Sequence, residues 1–177
     1  LKPLTDRLPK PLIEVGGRTL IDHALDRLGE AGVASVVVNS HHKAKLLESH
    51  LAKRRDLEIH ISREDELLDT GGGVAQALDM LGPEPFLVVN SDILWLNGPS
   101  DTLKGLVGGW DDRRMDAYLL LYPTVRVGFY GGAGDYFLDP LGKARRRVGE
   151  IAPFLFTGIQ LLHPRLFAQC PGEIGRA

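Results

Sequence analysis

The chain reads as a single α/β domain built on a doubly wound, mainly parallel sheet, with a small β-hairpin insertion around residues 129–147. Three observations predict this. The apolar runs Val36-Val37-Val38 and Phe86-Leu87-Val88-Val89 have the length and composition of strands buried on both faces. Between such runs the apolar spacing switches to three and four residues, the period of an amphipathic helix. The 177 residues, 44% hydrophobic and 25% charged, suffice for one substantial core but not for two full domains.

The elements follow in order. Pro9 and Pro11 lack an N–H, so the segment Leu8-Pro9-Lys10-Pro11 cannot be a central strand. Pro11 biases Lys10 towards extended values, which predicts a stiff arm with one ammonium at its middle. After Gly16-Gly17, Thr19 with Asp22 three residues on has the form of a capping box. Leu20, Ile21, Ala24, Leu25 and Leu28 then share one helical face, and Gly32 stands where a C-terminal cap belongs. A strand over Ala34–Val38 ends at Asn39, and a second helix is expected over Lys43–Ala52. Leu57, Ile59 and Ile61 alternate with polar residues as in a half-exposed strand.

Thr70-Gly71-Gly72-Gly73 reads as a glycine loop running into a helix with Val74, Ala77, Leu78 and Leu81 on its apolar face. Gly82-Pro83 stops it. Glycines there let a ligand approach the backbone, and the helix start offers unpaired N–H donors to a nucleobase edge or an anion. A loop tip with no ligand would look the same. Phe86–Val89 ends in Asn90-Ser91-Asp92, and ligands in open α/β sheets gather beyond the carboxyl ends of strands. Asp92 is therefore either a magnesium ligand, since that ion accepts one or two carboxylates plus substrate phosphates, or an ordinary turn residue.

Ser100 or Asp101 opens a short helix with Leu103, Leu106 and Val107, and Ala117–Tyr122 is a further strand. Gly131-Gly132, Gly134-Asp135 and Asp139-Pro140-Leu141-Gly142 are spaced as hairpin punctuation. Lys143–Arg147 is a basic patch, either solvated or facing an acidic substrate. The last strand, within Ile151–Leu162, carries Thr157-Gly158 at its middle, and a glycine there marks close approach of a ligand or backbone.

Composition excludes several classes. A net charge of −2 gives no basic footprint for nucleic acid, and no apolar run approaches a membrane span. The single cysteine, Cys170, cannot form an internal disulfide, which points to a reducing cytoplasm. His41 and His42 are adjacent, so in a strand they face opposite ways and chelate poorly.

Taken together, Pro-Leu-Thr at 3–5, Pro-Lys-Pro-Leu at 9–12, Thr-Gly-Gly-Gly at 70–73, Asn-Ser-Asp at 90–92 and Phe-Thr-Gly-Ile at 156–159 resemble the sugar-1-phosphate nucleotidyltransferases. Within that family the chain is most similar to the N-acetylmuramate-1-phosphate uridylyltransferases of cell-wall recycling. The pointers are Glu-Leu-Leu-Asp-Thr-Gly-Gly-Gly at 66–73 and the segment Gly134–Asp139, which stands where other members have a Glu-Lys-Pro signature. Mannose-1-phosphate guanylyltransferases share most of the remaining pattern. The resemblance implies the Rossmann-like fold of nucleotide-diphospho-sugar transferases, Mg2+ as cofactor, and a nucleoside triphosphate (UTP) and a sugar 1-phosphate as partners, with pyrophosphate released.

Position by position, the resemblance implies that Lys10 binds the phosphates at the reacting centre and Asp92 holds the metal. Thr70, Gly71, Gly72 and Asn90 would contact the nucleotide, and Asp139, Glu150 and Gly158 the sugar side. It also implies a first strand and a glycine-rich loop with a catalytic arginine before Leu1, and a second metal-binding aspartate beyond Phe167. Residues 1–177 would then be one nucleotidyltransferase domain without those parts. A degenerate domain that binds nucleotides as a sensor is the alternative; retention of Lys10 and Asp92 favours an enzyme.

Overall fold

The computed structural model describes residues 3–168. A one-turn helix α1 (Leu4–Arg7) leads to a 3₁₀ turn over Lys10–Leu12. The prolines predict an extended Lys10; instead Lys10 opens this turn, and the extended stretch before it is Leu8-Pro9. Pro11 occupies an early helical position whose N–H would be unpaired anyway, so its ring removes no hydrogen bond. Leu12 N donates to Pro9 O at 2.9 Å and Ile13 N to Lys10 O at 3.1 Å, and together they close the turn. The two-residue strands β1 (Glu14–Val15) and β2 (Arg18–Thr19) form a small hairpin around Gly16-Gly17, both at positive φ.

Helix α2 (Leu20–Ala31) has the predicted ends. Thr19 Oγ1 accepts from Asp22 N at 3.2 Å, and Gly32 closes it at φ +95°. It buries Leu20, Ile21, Ala24, Leu25 and Leu28, the face read from the spacing. Strand β3 (Ser35–Ser40) crosses through α3 (Ala44–Leu51) to β4 (Glu58–Arg63), and the two strands pair in parallel with Val36 opposite Ile59 and Val38 opposite Ile61. Helix α4 (Asp69–Leu81) follows, then β5 (Phe86–Val89), α5 (Thr102–Gly108) and β6 (Ala117–Pro123). Asp101 caps α5, its carboxylate accepting from Lys104 N at 2.8 Å. The insertion is the hairpin β7 (Tyr136–Leu138) and β8 (Ala144–Arg146), shorter than the glycine spacing suggested, and β9 (Phe154–Leu162) ends the sheet. Cys170 lies outside the described residues.

The sheet is mixed. Parallel pairing is found at β3–β4, and β9 runs antiparallel to β5, β6 and β7. The register decides what lies at the end of β5. Leu161 pairs with both Leu87 and Tyr118, so β5 and β6 take opposite edges of β9. Phe154 pairs with both Pro123 and Tyr136, so β7 must share the β5 edge. The β7–β8 hairpin therefore sits just beyond the carboxyl end of β5.

Among the described residues, β3 pairs only with β4 and β5 only with β9. Their other edges flank a slot of about 700 Å³, walled by α2 (Ile21, Ala24), by α4 (Val74, Ala77) and by the strands themselves. The slot is apolar over most of its length because Val36, Val38, Leu87 and Val89 line it. This open slot is why the β5 side chains are only half-buried although the run reads as a fully covered strand.

Candidate active site

The slot turns polar where β3, β4 and β5 end: Asn39, Glu64, Asp69, Thr70, Asn90 and Ser91 line it there. Sequence reasoning passed over Asn39 and Glu64. Glu64, directly after β4, is only 8% exposed. Its Oε1 accepts from Asn39 Nδ2 at 3.1 Å and its Oε2 from Leu68 N at 3.3 Å. Asn39 Nδ2 also donates to Gly73 O at 2.9 Å. A Cβ on Gly73 would lie 2.6 Å from Glu64 Oε1 and 3.0 Å from Asn39 Nδ2, so the glycine lets α4 close on this polar pair. The glycines expected as a loop are accordingly the first turn of α4, which begins at Asp69 in a left-handed conformation (φ +54°). The only signal available in the sequence was a charged residue immediately past an alternating strand.

At the same end Lys10 Nζ donates to Asp92 Oδ2, an ion pair joining residues 82 apart in the chain. Both side chains are partly exposed, 48% and 34%. Asn90 N donates to Gly158 O at 2.9 Å, which ties the start of the Asn90–Asp92 turn to the middle of β9. Gly158 has φ +78°, and a Cβ on it would stand 2.6 Å from Ile93 Cδ1 and 2.8 Å from Asn90 Nδ2. The strand glycine is expected to mark close approach of a ligand or backbone; the atoms that crowd it are the side chains of Ile93 and Asn90.

Thr70 and Asn90 thus line the polar end of the slot, Gly158 is tied to Asn90, and the Lys10–Asp92 pair forms two residues beyond Asn90, with Gly71 and Gly72 in the first turn of α4. Asp139 and Glu150 do not line the slot: Asp139 lies in the β7–β8 turn and Glu150 in the segment between β8 and β9. Asp139 Oδ1 accepts from Leu141 N at 2.9 Å and Lys143 N at 2.8 Å, which fixes the β7–β8 turn. Glu150 pairs with Arg145 at 2.9 Å. Among the described residues no group of three or more His, Cys, Asp or Glu side chains is arranged to hold a metal. Asp92 offers one carboxylate beside the place where a phosphate would meet Lys10, and magnesium accepts such a donor set when phosphate oxygens and water complete it.

Residues 1–124 match the nucleotidyl transferase family. The N-acetylmuramate alpha-1-phosphate uridylyltransferase of Caulobacter vibrioides is 40% identical over 177 residues, covering 97% of this chain and 73% of the relative. The chain belongs to this family. A mannose-1-phosphate guanyltransferase of Neurospora crassa is 39% identical, but over 98 residues, 52% of this chain and 27% of the relative. The fold matches UDP-glucose pyrophosphorylase complexed with UDP-glucose at a TM-score of 0.74 and 16% identity, over 95% of this chain and 73% of that one. The expected fold class and family therefore stand. Among the described residues no helix is long and apolar enough to cross a membrane.

Proposed function

We propose that this nucleotidyltransferase moves a uridylyl group from UTP to N-acetylmuramate 1-phosphate and releases pyrophosphate. The observation that carries the reading is the meeting of Lys10 and Asp92 at the polar end of the slot, in a chain alike along its length to a uridylyltransferase of that specificity. In-line attack of a sugar phosphate oxygen on the α-phosphorus needs neutralised charge and alignment rather than a protein nucleophile. Lys10 exchanges Asp92 for the phosphates, and the rigid turn over Pro9–Ile13 aims it. Asp92 would hold magnesium, which when bound offsets phosphate charge as a Lewis acid. Thr70, Gly71, Gly72 and Asn90 seat the nucleoside, and Glu64, a buried acceptor steadied by Asn39, suits an N–H on the base edge.

The unpaired edges of β3 and β5 support one further strand between them. This reading gives that place to the first strand and its glycine-rich loop with the catalytic arginine. The test is pyrophosphate release by the full-length protein with magnesium. UTP and N-acetylmuramate 1-phosphate give product, and Asp92→Ala loses it. Release with GTP and mannose 1-phosphate alone would move the chain to the guanylyltransferases. Silence with nucleotide still bound would leave a sensor domain.

A further inference from the structure

N-acetylmuramate differs from N-acetylglucosamine by a lactyl ether, and so by a carboxylate. A site that selects it needs a cation beyond those used on the phosphates, since leaving a charge unpaired is what discriminates strongly. Arginine suits the task, because its planar fork holds a carboxylate bidentately. The hairpin at the carboxyl end of β5 carries three in a row, Arg145, Arg146 and Arg147, and they are not equivalent.

Arg145 is committed: it pairs with Glu150 at 2.9 Å and lies 4.4 Å from the Phe137 ring centroid. Arg146 is exposed, and among the described residues its side chain makes no hydrogen bond or ion pair. Arg147 is half-buried and fixed at its base. Its N–H donates to Asp135 O at 2.9 Å, and its Nε donates to Gly134 O. Among the described residues its two Nη groups have no hydrogen-bond or ion-pair partner. The guanidinium is therefore held in place while its outward fork stays available.

Arg147 is also the hairpin arginine nearest the site. The strand β8 runs towards the β5 end of the shared edge, and Arg147 lies past its last residue, opposite Asp135. Asp135 is tied in turn to β9, its N–H donating to Phe154 O at 2.7 Å and its Oδ2 accepting from Phe156 N at 2.8 Å. From there to the Gly158–Asn90 junction is about 10 Å along β9 and about 10 Å across two strand spacings. An arginine side chain and a hexose 1-phosphate together bridge that distance.

We infer that Arg147 is the residue that reads the carboxylate of an acidic sugar 1-phosphate, with its Nε–Gly134 anchor holding the fork ready. The inference rests on the uridylyltransferase reading above and names the source of its sugar specificity. It assigns a role to the basic patch that the phosphate chemistry does not use.

The test compares N-acetylmuramate 1-phosphate with N-acetylglucosamine 1-phosphate in the full-length protein, UTP and magnesium being saturating. Arg147→Ala raises KM for the muramate at least ten-fold, as expected for loss of charge-assisted hydrogen bonds, and leaves KM for the glucosamine within two-fold. Arg147→Lys keeps the charge without the fork and falls between. Arg146→Ala changes neither sugar. Thermal melting of each variant separates misfolding from lost recognition. An unchanged muramate KM in Arg147→Ala, or an equal rise for both sugars, overturns the inference and leaves the uridylyltransferase intact. Wild-type protein that turns over neither sugar overturns both.

Discussion

Gly158→Ala tests whether β9 is shaped for its neighbour in the site. Two costs add at this position. The residue has φ +78°, where an L side chain costs about 1–2 kcal/mol. The new Cβ would stand 2.6 Å from Ile93 Cδ1, 2.8 Å from Asn90 Nδ2 and 3.1 Å from Asn90 Cβ. To reach van der Waals separation those atoms must retreat by roughly 0.7 Å, and overpacking of this kind costs about 1–3 kcal/mol. Gly32→Ala is the matched control, for Gly32 has φ +95° with nothing within 4 Å of its Cβ position, so it feels the backbone cost alone. Urea unfolding is expected to show Gly158→Ala losing about 2–5 kcal/mol and Gly32→Ala about 1–2 kcal/mol. The displaced atoms belong to Asn90 and Ile93, which flank Asp92. A shift approaching 1 Å there lowers kcat/KM by about 10- to 100-fold in the pyrophosphate assay. If Gly158→Ala is no less stable than Gly32→Ala and keeps kcat/KM within two-fold, the glycine is not there for close approach.

Two further predictions concern the polar cluster that joins α2 to α3. Arg54, 11% exposed, donates to Asp22 at 3.0 Å and Asp26 at 2.9 Å and also pairs with Asp56. Arg54→Ala is expected to cost about 2–3 kcal/mol in urea unfolding, below the full loss for a deeply buried pair because Asp56 stays hydrated; a loss under about 0.5 kcal/mol would count against a structural role. The second prediction is acid sensitivity. Burial pushes the Asp22 carboxyl up, but hydrogen bonds from Thr19, Arg54 and His50 outweigh it and hold the group below its ordinary value. The folded state thus binds this proton less tightly than the unfolded chain. Its stabilisation is complete above about pH 4 and is lost as pH falls through the lower folded value. Asp22→Asn should flatten that acid limb; an unchanged slope would refute the assignment.

What could be read in advance divides by the range of the forces involved. The α2 helix and its ends were legible because Thr19, Asp22 and Gly32 act on backbone groups within one turn. Phe86–Val89 was legible because its composition has few other uses. Lys10 was misplaced because the pre-proline bias is a preference of about the size that two closing hydrogen bonds overcome. The triple glycine reads as a loop because helix propensity opposes it; Gly73 is required by Asn39 of β3 and by Glu64 just past β4, two distant segments that close on α4 there. Lys10 and Asp92 were identifiable through resemblance, yet their contact is a product of topology that no local spacing encodes.

Arg147 shows the same division at the level of function. As sequence, Arg145-Arg146-Arg147 is one basic patch, and nothing in it ranks the three. Pairing does the ranking. Arg145 lies directly across from Phe137 and pairs with Glu150, whereas Arg147 falls past the last β8 residue, where Gly134 offers a carbonyl to its Nε. Gly134 is itself constrained, at φ +67° with its Cβ position 2.1 Å from Ala152 O. A side chain there would force the hairpin away from the segment leading into β9 and carry off the carbonyl that anchors the arginine. Gly134 and Arg147 are therefore one device, and the preference for an acidic sugar depends on a glycine that touches no substrate.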